Sequence, residues 1–407
     1  MFEVAKFLAT VLGTDFENVF KNLKRMWDSL FGDETKFDKD KVIGSFEPIY
    51  ITLIAPRGAG KTSLLSTILK FMGDKVSGSA GIEVKSCKED DEKRMNEFHA
   101  QLDTFIKAGE FNFTSAGDPS AAINKFEFEI EFTRIPNAVI KQKFIIMDIP
   151  GGIINNQEKN VEFEEHLEKS RILWIPVEAV ALMPVLEGAK DEEEGRKNVL
   201  CASLMSGRLE KWAQKRLKFK GVPCSANFVL MKSESFFSHK KDNSQPAKVE
   251  IAFNKTYGQT ISKVHRINPD VDISYVPVET IGVIHAYDRQ WIEKDDKMVL
   301  NCVYQFDANA TGVEISGVDR LMYNVLDYCH TSLSKKLDDT KAEIDKVVKQ
   351  LDDMNFFMKL KFKRQIEEAK KLQKEIYDLA NGLEPLQKKL MELKEPSSFS
   401  KDYSKKM

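Results

Sequence analysis

The stretch that most constrains this chain is residues 49–63, IYITLIAPRGAGKTS. Its first seven residues are apolar or β-branched and too few for a helix, so they read as a buried strand. The strand runs into Pro56, Arg57, Gly58, Ala59, Gly60, Lys61, Thr62 and Ser63, and residues 61–72 carry a helical pattern. A glycine-rich turn that leaves a strand and opens a helix points backbone N–H groups inward, which is the arrangement a phosphate chain needs. Gly58 and Gly60 let the backbone wrap closely, flanked by Pro56, Arg57, Ala59 and Ser63. Lys61 supplies positive charge to the β and γ phosphates, and Thr62 a hydroxyl for Mg2+. Ala55 stands where such loops usually begin with glycine, and a methyl group is tolerable at a strand end.

The segments that follow alternate between strand and helix patterns. This predicts a three-layer αβα domain, mostly parallel in its sheet with one antiparallel strand, over residues 46–330. Further strands are expected at 125–134, 140–147, 172–177, 227–231 and 273–277, and helices near 88–108, 157–168, 195–217 and 247–265. The alternation in KFEFEIEFTR (125–134) buries one face only. The link IPNAV is too brief for a crossover helix, so the strands on either side of it should be antiparallel neighbours. KDEEEGRKN (190–198) reads as a charged loop, and 283–313 as an insertion containing the strand MVLNCVYQF.

The two ends read differently. Residues 1–45 are expected to form amphipathic helices, with Phe16, Val19, Phe20, Leu23, Trp27, Leu30 and Phe31 on one face. Lys21, Lys24 and Arg25 on the polar side suit either packing on the domain or a partner or membrane surface. Residues 331–395 predict a helical hairpin or coiled-coil arm. Its first helix carries Leu337, Ile344, Val348 and Leu351. Its second carries the series Ala369, Ile376, Leu383, Leu390 and Leu372, Leu379, Leu386, Leu393, interrupted at Asn381-Gly382 and Pro385. Such an arm either folds back on the domain or serves dimerisation or a partner. The tail, 396–407, is expected to be disordered.

Composition narrows the setting. With 61 basic and 63 acidic residues, a net charge of -2 provides no global attraction for nucleic acid, and no nucleic-acid partner is expected. Five cysteines without a CxxC pair argue against a disulfide framework or zinc site and fit a reducing compartment. The first residues lack the pattern of a signal peptide, and no apolar run approaches the ~18 residues needed to span a bilayer. A soluble, cytoplasmic protein is expected.

A second chemical motif, MDIPGG (147–152), closes the apolar strand FIIM. Asp148 can reach Mg2+ through a water, and the Gly151 N–H can meet a γ-phosphate and so sense its presence. The APRGAGKT loop, the antiparallel pair and DIPG together resemble the translation-factor-like class of P-loop GTPases.

The resemblance implies GTP and GDP as ligands with Mg2+, and a switch threonine between the two motifs. Thr114 in FNFTSAGD is the best placed, with Ser115 and Ser120 as rivals. It also places a base-reading motif at NFVLMKSES. There Lys232 would lay its stem against guanine and Glu234 would accept hydrogen bonds from its edge, while Met231 replaces the class's asparagine or threonine. Thr280, in VPVETIG, falls in the final base-contacting loop.

Gly152 stands where many such enzymes have a water-orienting glutamine, which implies a GTPase that is slow or activated by a partner. Arg57 either stabilises charge, in cis or across a dimer, or is a solvated loop arginine. The catalytic set is then Lys61, Asp148, Gly151 and Arg57. Within the class, residues 47–330 resemble the bacterial double-GTPase family, encoded in pairs in defence gene clusters. The implied function is a nucleotide-dependent switch or assembly regulator, with a protein partner or a homo- or hetero-dimer formed through the nucleotide face or the arm.

Three other readings stay open: a P-loop ATPase assembling through the arm, a non-hydrolysing nucleotide-bound scaffold, and a membrane-remodelling protein. Against the last stand the short arm and the lack of an evident lipid-inserting apolar loop.

Overall fold

In a computed structural model of the protein, the apolar run that ends at the glycine-rich loop lies in the middle of an eight-stranded sheet. The structure describes residues 42–56, 58–72, 82–86, 93, 100, 124–135, 138–149, 161–182, 192–217, 224–236, 244–294, 297–306, 315–353, 355–361, 363–381, 387–388 and 405–407.

The chain runs β1 (Val42–Leu53), α1 (Lys61–Phe71), β2 (Ile82–Ser86), β3 (Asn124–Ile135) and β4 (Ala138–Asp148). It continues with α2 (Val161–Lys169), β5 (Ile172–Glu178), α3 (Ala179–Leu182), α4 (Glu192–Val199), α5 (Ala202–Arg216) and β6 (Cys224–Met231). After a short 3-10 turn come α6 (Ser244–Ile267), β7 (Val271–Pro277), β8 (Ile284–Lys294), β9 (Lys297–Phe306), α7 (Val318–Asp352), α8 (Phe356–Lys361), α9 (Lys363–Asn381) and β10 (Lys405–Lys406).

The sheet order is β10-β7-β6-β5-β1-β4-β3-β2, with β8 and β9 forming a separate hairpin. β7, β6, β5, β1 and β4 are parallel throughout. β3 runs antiparallel to β4, and β2 antiparallel to β3, so β3 is the reversed strand among them.

The strand patterns explain these positions. All of β6, and all of β5 except Glu178, is buried, as expected for strands covered on both faces. β3 alternates: Phe126, Phe128 and Ile130 are buried, and Phe128 stacks on Phe144 of β4 at 4.8 Å. Its other face carries cross-strand ion pairs, Glu129 and Glu131 with Lys141 at 3.2 and 2.5 Å and Glu127 with Lys143 at 2.6 Å.

Two apolar clusters sandwich the sheet. On one face Leu64, Leu65 and Ile68 of α1 meet Leu321, Met322 and Val325 of α7. On the other, Phe163 of α2, Leu209 and Trp212 of α5 and Phe253 and Tyr257 of α6 pack together. The result is the three-layer αβα domain.

Polar contacts fix the outer helices. Trp212 Nε1 donates to Ser170 O at 2.9 Å, and Asn324 of α7 donates to Asn227 Oδ1 of β6 at 2.8 Å. Each side chain on full burial contributes about 1.5–3 kcal/mol, so these cores dominate the cohesion of the domain.

The structure corrects several expectations. Residues 42–45, expected to be helical, belong to β1, and 1–41 lie outside the described residues. Most of the 190–198 segment is helix α4 rather than loop, because Arg196 is buried and its Nε donates to Ala181 O at 3.1 Å. The expected disorder at 396–407 fails for its last residues: β10 pairs antiparallel with β7, and Met407 N donates to Ile273 O at 2.8 Å. Residues 396–404 lie outside the described residues, as does nearly all of the helix expected at 88–108.

α7 is one continuous 35-residue helix. Its first half belongs to the domain core, and its second half pairs with α9. Asp345 accepts from Gln373 Nε2 at 2.7 Å and Tyr377 OH at 2.8 Å, and Asp352 pairs with Lys370 at 2.8 Å, so the two helices are antiparallel. Ile344, Val348, Leu351, Ala369 and Ile376 are buried along the seam. Leu337 and Ala380 join the cluster containing α1, so the root of the hairpin folds onto the domain. α9 ends at Asn381, where the sequence places its break; Leu383, Leu386, Leu390 and Leu393 lie outside the described residues. Among the described residues no helix is long and apolar enough to cross a membrane.

Candidate nucleotide-binding site

Parallel registry brings the chemistry-bearing residues to one edge. Leu53 of β1 is level with Asp148 of β4, Glu178 of β5 with Met231 of β6, and Leu230 with Pro277 of β7. Ala55, Pro56, Gly58, Ala59, Gly60, Asp148, Glu178, Lys232 and Thr280 therefore all follow or close the C-terminal ends of adjacent strands. That edge is where open α/β sheets bind ligands.

The loop needs glycine at two points. Gly58 and Gly60 have φ of +83° and +85°, the left-handed region. A Cβ on Gly58 would meet nothing within 4 Å, so only the backbone conformation demands glycine there. A Cβ on Gly60 would lie 3.2 Å from Met231 Cε. Met231, which departs from the base-reading pattern, thus packs its thioether end against the glycine loop.

Lys61 opens α1 and curls back over the loop. Its Nζ donates to Ala55 O at 2.9 Å and Pro56 O at 3.1 Å. Burial pulls its pKa below the ordinary lysine value, while the Asp148 carboxylate opposes that shift. The half-buried Asp148 thus counters an ammonium held over the loop. A left-handed glycine cradle, a poised ammonium and a carboxylate at the neighbouring strand end fit a phosphate chain with a divalent cation. Thr62 is the second residue of α1. Arg57, Thr114, Ser115, Ser120, Gly151 and Gly152 lie outside the described residues.

The other half of the edge is more closed than the sequence suggests. Lys232 itself has φ of 61°, so the chain turns sharply as it leaves β6. Its Nζ pairs with Glu178 Oε1 at 2.5 Å and donates to Tyr304 OH of β9 at 3.0 Å. Burial alone would lower the Lys232 pKa, but Glu178, helped by Tyr304, reverses this and raises it. Glu234, only 3% exposed, sits in the 3-10 turn Ser233–Ser235. The β8–β9 hairpin docks on that turn. His285 Nδ1 lies 2.8 Å from Glu234 O, Ala286 N donates to Ser235 Oγ at 2.9 Å, and Arg289 stacks over Phe236 at 5.1 Å. Thr280, 4% exposed, follows β7 beside the bridge between Glu279 and Ser316.

Sequence reasoning missed Glu178 and Tyr304. Glu178 left a signal, as the one charged residue ending the apolar strand ILWIPVE. Tyr304 left none, because only hairpin docking brings it to Lys232.

Beside Tyr304, burial pushes the Cys302 thiol up to about 11. A raised pKa means less thiolate until the pH approaches that value. Alkylation of Cys302 at pH 8 should therefore be about 100-fold slower in the folded chain than in denaturant. Mass spectrometry of the labelled peptide checks this, and equal rates would show that the hairpin does not shelter the thiol.

Strand order, the strand–glycine loop–helix unit and the reversed β3 define a P-loop GTPase-like fold. No family model matches the chain, and no curated protein matches it. Solved structures that resemble it include the S. cerevisiae Ski7 GTPase-like domain bound to GDP and inorganic phosphate, with 11% identity, 56% of this chain and 42% of that chain covered, and a TM-score of 0.29. The same domain bound to GTP gives 11% identity, the same coverage and a TM-score of 0.28. The SRb-GTP/SRX signal recognition particle receptor complex from Chaetomium thermophilum gives 12% identity, 56% and 92% coverage, and 0.28. The chain thus spans less than half the length of the Ski7 chain, at 42%. Strand order and loop geometry, not these alignments, define the fold.

Proposed function

We propose that this chain is a cytoplasmic guanine-nucleotide-binding switch or assembly regulator that hydrolyses GTP slowly. The observation that carries the reading is Lys61 donating to Ala55 O and Pro56 O at the end of a loop with two left-handed glycines, within the electrostatic reach of Asp148. Phosphate oxygens entering the loop would take over the ammonium from the two carbonyls, while the loop N–H groups hold the phosphate chain. Thr62, Asp148 and Thr114 would hold Mg2+, which when bound neutralises charge on the β and γ phosphates. Gly151 would sense the γ-phosphate. Arg57 would stabilise developing charge in cis or across a dimer. With Gly152 in the glutamine position, water is left without a side chain to orient it, so turnover is slow until a partner supplies one.

The base would lie against the stem of Lys232. The Glu178 and Tyr304 contacts hold its ammonium end and so fix the direction in which the stem runs. Glu234 would accept from the guanine edge and Thr280 close the pocket. The loop APRGAGKT and the altered base motif support the narrower likeness to bacterial double GTPases, hence a paired GTPase partner and a role in defence.

Calorimetry with Mg2+, comparing GDP, a non-hydrolysable GTP analogue and the matching ATP analogue, tests the assignment. Guanine should bind more tightly, and Lys232→Ala should erase that preference with a loss of about tenfold or more. Equal binding of both bases would move the assignment to an ATPase that assembles through the hairpin.

A further inference from the structure

We propose that the far end of the helical hairpin is a docking surface for an anionic lipid bilayer. Leu337 marks the hairpin's root in the domain core, and α7 continues to Asp352. At 1.5 Å per residue the turn lies roughly 20 Å further out. Here α8 exposes Phe356, Phe357 and Leu360 to 73%, 82% and 67%. The two rings contact each other edge to face at 5.9 Å. Among the described residues, the other large exposed apolar side chains are scattered over separate elements.

The composition of the tip selects the occupant. Residues 356–364, FFMKLKFKR, hold five apolar and four basic residues and no acidic one, in a chain whose net charge is -2. Lys359 is exposed, and the Lys363 side chain is 76% exposed and loosely paired with Glu367 one turn on at 4.0 Å, an exposed pair that leaves the ammonium open to competing anions. Nearby, Asp352 pairs with Lys370 at 2.8 Å, and the exposed Asp353 is outnumbered by the four basic residues of 356–364. Aromatic side chains interleaved with lysines suit the boundary between acyl chains and anionic headgroups, rings entering and ammonium groups staying at the phosphate level.

A protein partner suits the tip less. A stable interface takes about 800 Å2 from each side, and a six-residue helix at a convex turn offers far less. A lipid surface has no such requirement, because it deforms around each side chain. The sequence alone hid this feature, since FFMKLKFKR has the composition of an ordinary amphipathic helix. Its exposure follows from its place beyond the end of the α7–α9 seam.

Flotation of the full chain with vesicles tests the proposal, comparing phosphatidylcholine alone with phosphatidylcholine containing phosphatidylserine. The chain should float with the phosphatidylserine vesicles, and less so at high salt. Phe356→Ser with Phe357→Ser should lower partitioning at least about tenfold on these vesicles. Lys359→Glu with Lys363→Glu should lower it by a similar factor, and only where the lipid is anionic. All four side chains face solvent, so thermal melting should be unchanged in both variants. Failure to float with either vesicle, or flotation insensitive to the phenylalanine pair, overturns the proposal. So does a vesicle-free dimer that the phenylalanine substitutions dissolve, which would assign the tip to a second copy of this chain.

Discussion

Replacing Lys61 with alanine should reduce nucleotide affinity by about 100-fold or more while leaving the fold intact. The ammonium already lies in the loop mouth, 2.9 and 3.1 Å from two carbonyl oxygens. A charge-assisted hydrogen bond is worth about 1.5–3 kcal/mol, and a bound phosphate chain would present more than one oxygen to this ammonium. The folded state without ligand should tolerate the change. Burial disfavours the charged lysine there, and removing it relieves that cost, while Asp148 keeps partial contact with water. Calorimetry with GDP and Mg2+, alongside thermal melting without ligand, separates the two effects. Affinity near that of the unaltered chain would mean that phosphates are not held in this loop.

Gly317→Ala should be among the most destabilising single-methyl substitutions in the domain, at roughly 3 kcal/mol or more. Gly317 caps the start of α7 with φ of +82°, a conformation that costs an L residue about 1–2 kcal/mol. An added Cβ would also sit 2.1 Å from Pro277 O and 3.2 Å from Val278 Cα. These are backbone atoms at the exit of β7, and they cannot swing aside. Val278 N donates to Leu230 O at 2.8 Å, and Glu279 and Ser316 exchange hydrogen bonds of 3.0 and 3.1 Å. The strain would pass directly into the segment carrying Thr280. A fall in melting temperature of about 6 °C or more is expected. Gly58→Ala is the informative contrast, because a Cβ there meets nothing within 4 Å and only the backbone strain remains. Equal melting of the Gly317→Ala variant and the unaltered chain would show that α7 does not enter the core by this path.

Much of the fold was legible because its signals are local. The run at 49–55, the alternation in KFEFEIEFTR and the short IPNAV link are statements about which faces are buried and how far a chain can travel between strands. From these the parallel core, the reversed β3 and the glycine loop between β1 and α1 follow. The errors came where local composition and tertiary contact disagree. KDEEEGRKN is charged enough for a loop, yet Arg196 finds a buried carbonyl and the segment stays helical. The last residues look like a solvated tail, yet the unpaired edge of β7 offers them a ladder.

The candidate site divides along the same line. Sequence by itself determined which residue types stand at the strand ends: the glycines, Lys61, Asp148, Lys232 and Glu234. Only the tertiary structure decided what surrounds them. Met231 packs on Gly60, and Lys232 is held by Glu178 and Tyr304, which lie 54 and 72 positions away in the chain. Tertiary structure also decided that the hairpin arm is rooted in the core at Leu337 yet leaves Phe356 and Phe357 in water at its end. Periodicity and spacing record how a segment meets its immediate neighbours. They carry no record of which distant surface later closes over it, because that depends on the summed packing of the whole chain.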